Sequence, residues 1–148
     1  FHQIMKKNLV IVALLALIFS SCASRVKEPV FNFQGKMLHL VELAGETYNA
    51  KSTFEPIVLM FSETAVADGV YKINGHSGCN QVFGQYKAEN GKIKFSNMAM
   101  TRRMCDEESN KIELQISQMF ETANAYKAEK GKVTFYNGKT PLAVFEVK

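Results

Sequence analysis

Cys79 and Cys105 are the residues in this chain best suited to chemistry, and three outcomes are open to them. In an oxidising compartment they can join as a disulfide; as free thiols they can act as a redox pair; with His76, three residues before Cys79, they can begin a metal site. A metal site ordinarily takes three or four ligands at recurrent spacing, and only the distant His39 remains to complete one, so no metal or other cofactor is expected. The neighbours His76 and Ser77 suggest a nucleophile beside its base. Adjacent residues rarely face one another, however, no Gly-x-Ser-x-Gly elbow is present, and no acid is placed to orient the imidazole. A turn containing a histidine is the simpler reading. Gly91 and Gly131 fit neither a Walker sequence nor Gly-x-Gly-x-x-Gly. Arg102-Arg103 beside Lys111 read as solvated charge, with lipid head groups or an acidic partner as the functional alternative. With no catalytic constellation among these residues, the chain is not expected to be an enzyme.

The third cysteine belongs to an address. Met5-Lys6-Lys7-Asn8 is followed by an apolar run over residues 9–19. A bilayer span needs roughly 20 apolar residues, so this run is too short. A cationic start, an apolar stretch and then small residues are the layout of a secretory signal peptide, here 1–21, with 1–4 standing upstream of the true start. Phe19-Ser20-Ser21-Cys22 resembles a bacterial lipobox. That resemblance implies cleavage just before Cys22 and lipidation of its thiol, so the protein would engage the membrane through an N-terminal lipid. Residues 22–35 turn polar and irregular, with Arg25, Lys27, Glu28 and Pro29, and read as a tether. At about 3.3 Å per residue it reaches a few tens of ångströms from the membrane. Ala23, where an Asp would favour the inner membrane, points to the outer membrane and a body facing the periplasm.

The elements that must position Cys79 and Cys105 come from the rest of the chain. Its 148 residues, 47% hydrophobic and 22% charged, suit one folded domain rather than a disordered chain. Lys and Arg number 18 against 14 Asp and Glu, and two of the lysines lie in the leader, so the body is near neutral and no nucleic-acid partner is expected. Strands are expected over 37–43, 56–61, 70–73 and 82–86, spaced as an antiparallel meander. Residues 86–95 and 126–135 are near-copies, each with a glycine (Gly91, Gly131) where a tight hairpin needs positive φ. Between them Ile112, Ile116, Met119, Phe120 and Ala123 form one helical stripe over 106–124, with Asp106 or Ser109 as the cap. A last strand falls over 141–147. The fold class is α+β: a curved antiparallel β-sheet or incomplete barrel with one main α-helix packed across it.

Gly78-Cys79-Asn80, then Phe83, Gly84 and Tyr86, then Thr101, Met104 and Cys105, then a helix carrying Glu113, resemble the motif of the META domain, the HslJ-like family of small bacterial envelope proteins. The resemblance runs from 36 to 147, which makes 36–148 a META-like domain. It implies a pairing of Cys79 with Cys105, which the cysteine count independently favours once Cys22 is assigned to lipid. Such a bond, closing a loop of about 26 residues, stabilises by about 3–4 kcal/mol. The family further implies a non-enzymatic binding or maintenance module of the cell envelope, associated with heat shock and stress, whose partner is an envelope protein or lipid. A second reading is a pilot-like secretion assembly factor that holds an acyl chain or a partner's peptide, marked by a dry apolar groove between helix and sheet. A third is a thiol oxidoreductase, marked by an easily reduced pair.

Overall fold

The computed structural model describes residues 30–148; the segments expected as a signal peptide (1–21), a lipidated Cys22 and the first part of a tether (23–29) lie outside the described residues. The elements follow in the order β1 (Lys36–Leu43), β2 (Glu46–Thr47), β3 (Val58–Ala67), β4 (Val70–His76), β5 (Gln81–Glu89), β6 (Lys92–Met100), α1 (Glu107–Thr122), β7 (Ala125–Glu129), β8 (Lys132–Asn137) and β9 (Thr140–Val147). The expected helix and hairpins form. The strand expected over 56–61 starts at Val58 and runs on to Ala67, and the two-residue β2 has no counterpart in the periodicity.

Short turns join most strands, and pairing is antiparallel throughout. β1 also pairs with β9, Leu38 opposite Val147 and Leu43 opposite Ala143. The ring β1-β3-β4-β5-β6-β7-β8-β9 is therefore closed, an eight-stranded barrel with β2 as a flap on β1. The antiparallel sheet with one helix packed on it is as expected, but the sheet closes fully, which corrects the expectation of a curved sheet or incomplete barrel. Closure depends on pairing the first long strand with the last, a contact that local periodicity does not encode. The thinnest seam lies between β6 and β7, where Lys92 opposite Ala125 is the one register pair, flanked by the bonds Ile93 N–H to Asn124 O and Tyr126 N–H to Gly91 O. Here α1 packs against β6 and β8.

Alternation along the strands sends one set of side chains inward: Leu38 and Leu40, Ile93 and Phe95, Val133 and Phe135, Ala143 and Phe145 are all buried. Aromatic rings fill the axis. Phe61 lies 4.8 Å from both Phe33 and Tyr86, and Phe135 lies 5.5 Å from Phe95 and 5.6 Å from Phe145, centroid to centroid. These are the offset and edge-on contacts that aromatic quadrupoles favour. Phe33 falls inside the stretch expected as tether, yet it is 2% exposed, so the folded body starts before residue 36. From α1 the buried side chains are Ser109, Ile112, Ile116, Met119 and Phe120, and Phe120 meets Phe95 edge-on at 5.0 Å.

The two near-copies make the same turn. Glu89 pairs with Lys92 across Asn90-Gly91 (φ 50° and 77°), and Glu129 pairs with Lys132 across Lys130-Gly131 (φ 52° and 74°). Two left-handed residues between paired strands are the type I′ geometry that matches strand twist.

Candidate functional site

The turn at 77–80 joins β4 to β5, and residues 101–106 lead from β6 into α1. Gly78 holds φ +97°, open to glycine and strained for side-chain-bearing residues, and a Cβ there would press on Thr53. This bend turns Cys79 inward, where it is fully buried. Its sulfur is bonded to that of Cys105, with Cα atoms 5.9 Å apart. The bond fastens the β4–β5 turn to the segment that starts α1, over a separation of 26 residues.

Asn80, 3% exposed, is the hub beside it. Its Nδ2 donates to Glu113 Oε1 at 2.9 Å and to Arg103 O at 3.2 Å, while its backbone N–H donates to Glu113 Oε2 at 2.9 Å. Its Oδ1 accepts from Arg103 N at 2.7 Å and from Thr101 Oγ1 at 3.0 Å. Thr101 Oγ1 in turn accepts from Gln81 N at 3.1 Å. The fully buried Ser77 donates its hydroxyl to Glu113 Oε2 at 2.6 Å, and its backbone N–H bonds to Asn80 O. The half-buried Glu113 thus accepts from a hydroxyl, a side-chain amide and a backbone amide, a donor set that satisfies both oxygens of its carboxylate.

An outer rim continues the network. His76 accepts at Nδ1 from Gly78 N, 3.2 Å, which leaves the proton on Nε2, 3.2 Å from Glu55 Oε2. Arg103 donates to Cys79 O at 2.6 Å, lies 3.7 Å from Glu55, and stacks 4.3 Å above the exposed Phe54 ring. Phe54 N–H donates to Ser109 Oγ, which donates to Asp106 Oδ2 at 2.7 Å. Asp106 caps α1 by accepting from Ser109 N at 2.8 Å, and those Ser109 bonds hold its carboxyl below the usual carboxylate range.

Of the residues singled out in the sequence, Gly78, Cys79, Asn80, Thr101, Cys105 and Glu113 converge. Phe83, Gly84 and Tyr86 stand apart. Phe83 points outward and is 47% exposed. Gly84 lies against a bulge in β6 where Asn97 takes φ 51°, and a Cβ there would overlap the Met98 sulfur. Tyr86 belongs to the barrel core, donating to Ser62 O; burial, with Tyr71 adding to it, pushes its phenol up to about 12. Sequence reasoning missed the parts played by Ser77, Arg103 and Glu55. Ser77 was visible only as half of a spurious His-Ser pair, and Arg103 as surface charge. Among the described residues, no group of three or more His, Cys, Asp or Glu is placed to hold a metal ion, and no buried side-chain nitrogen or oxygen lacks a hydrogen-bond partner.

A closed barrel, a disulfide-anchored Gly-Cys-Asn turn and a helix glutamate clasping it together define a class. The META domain model matches residues 32–148, and the chain belongs to that family. No curated protein matches the chain. Two solved NMR structures share the fold. One is 26% identical with a TM-score of 0.58, over 76% of this chain and 89% of its own. The other, from Burkholderia xenovorans, is 19% identical with a TM-score of 0.61, over 81% and 90%.

Proposed function

We propose that this META-domain protein is a lipid-anchored module of the bacterial envelope, held at the outer membrane through Cys22 and facing the periplasm, where it binds an envelope partner and performs no catalysis. One observation carries this reading: Cys79 and Cys105 are joined in a bond that ties the β4–β5 turn to α1, and the polar groups around it answer one another. Structural disulfides persist in oxidising compartments, so a bond embedded in the fold fits an exported protein. The cationic and apolar leader ending at Cys22 fits the same route. Each polar side chain of the cluster holds backbone in place, which argues for a brace rather than a reaction centre.

The test is the anchor. Expressed in bacteria, the protein takes up a fatty-acid analogue and fractionates with membranes; Cys22→Ala abolishes labelling and leaves an uncleaved or soluble species. Persistent labelling of the variant contradicts the assignment.

A pilot-like assembly factor is the second reading. Rings of Phe33, Phe61, Phe135 and Phe145 occupy the barrel axis, which weighs against an acyl chain inside. The peptide form of that reading keeps a place outside the axis, beside β6.

A further inference from the structure

The outer edge of β6 is left open by the fold. Past Lys92 and Ile93 no described strand pairs with it, because β7 diverges below and α1 takes the neighbouring position. On its other side β6 is laddered to β5 before and after the bulge at Asn97, with Lys94 opposite Lys87, Ser96 opposite Gln85 and Ala99 opposite Phe83. Peptide groups alternate in direction along an antiparallel strand. Ile93 bonds outward to Asn124 and Thr101 inward to Gln81 O. Counting through the bulge at Asn97, the amides and carbonyls of Phe95, Met98 and Met100 face outward into a groove between β6 and α1, about 730 Å³ in volume. That is within the usual range for ligand sites.

Resting on the reading of this protein as a binding module, we infer that this groove takes an extended polypeptide segment, which adds as a strand along Phe95–Met100. A row of backbone donors and acceptors at strand spacing is matched by another strand and by neither a lipid tail nor a helix. The walls give the segment its chemistry. Met98 and Met100 supply deformable apolar surface, and methionine suits sites that accept varied side chains. Glu113 and Glu121 on the α1 side outnumber Arg102, so the segment alternates apolar with basic side chains.

The test is selection of a displayed random heptapeptide library on the purified oxidised protein, followed by amide NMR titration with the enriched peptides. Enriched sequences alternate apolar and Lys or Arg, and they shift the amides of Phe95, Met98 and Met100. N-methylation of alternate peptide amides weakens binding at least tenfold. Ser117→Trp, which fills the groove from the half-buried face of α1, weakens it comparably while the melting temperature holds. Glu121→Lys weakens basic peptides and spares neutral ones. Failure to enrich, shifts centred on the separate groove at Leu43 and Leu142, or indifference to Ser117→Trp overturns the inference. So does concentration-dependent dimerisation through β6, which gives the edge to a second copy. A protein that labels at Cys22 but binds no peptide keeps its anchor and loses this groove.

Discussion

Asn80 and Glu113 meet twice: Nδ2 donates to Oε1 and the Asn80 backbone N–H donates to Oε2, each at 2.9 Å. One helix carboxylate thereby reads both the side chain and the main chain of a turn 33 residues earlier. Substituting Asn80 by Leu leaves Glu113, Thr101 and Arg103 N without a shared partner. These partners are exposed or half-buried and can turn to water, and Glu113 keeps the Ser77 hydroxyl and the backbone amide, so the expected loss in urea unfolding is that of one or two hydrogen bonds, about 1–3 kcal/mol. Asn80→Asp is worse near neutrality, because it sets two carboxylates against each other.

Breaking the bond between Cys79 and Cys105 with Ser at either position costs about 2–4 kcal/mol. The double replacement costs no more than the larger single one, since each removes the same crosslink. Denaturant unfolding of the three variants, compared with the reduced parent, gives the answer.

Asp106 caps α1 with a carboxyl held below its ordinary value by Ser109. A lowered folded-state pKa contributes stability above the unfolded value and loses it as pH falls through the folded one. Asp106→Ala therefore lowers the melting temperature at pH 7, and the gap to the parent closes on acidification below the carboxylate range.

Tyr86 titrates late, at about 12 against an ordinary 10.0. A raised pKa means stability fully present below pH 10 and lost as pH rises through the folded value, so base unfolding begins in that interval. Ultraviolet titration finds one phenol delayed into it. Tyr71→Phe advances that phenol only slightly, because burial is the larger cause.

Lys130 occupies the left-handed position that Asn90 fills in the matching hairpin, at φ 52° against 50°. Asn tolerates this conformation better than Lys. Lys130→Asn is expected to stabilise by about 0.5–1 kcal/mol and Asn90→Lys to cost a similar amount, both measurable by thermal unfolding.

What was legible in the sequence follows from the range of the interactions. The helix stripe at Ile112, Ile116, Met119 and Phe120 and the turns at Gly91 and Gly131 are local patterns, and they form where their periods place them. Barrel closure joins Leu38 to Val147, and the core ring Phe33 lies in a polar stretch whose composition masks it. The candidate site was half visible. Cys79, Asn80, Thr101 and Cys105 stood out as a motif, while Ser77, Arg103 and Glu55 matter because the fold brings them together. Phe83, Gly84 and Tyr86 belong to the same motif for another reason: they shape strand and core rather than the polar cluster.

Intact mass spectrometry of the protein extracted from bacterial membranes, with thiol alkylation before and after reduction, tests the account most directly. The account predicts a chain beginning at a diacylglycerol-modified Cys22, no alkylation before reduction, and two labels after it, at Cys79 and Cys105. A soluble chain with Cys22 unmodified, or with Cys79 and Cys105 alkylated before any reductant is added, contradicts it.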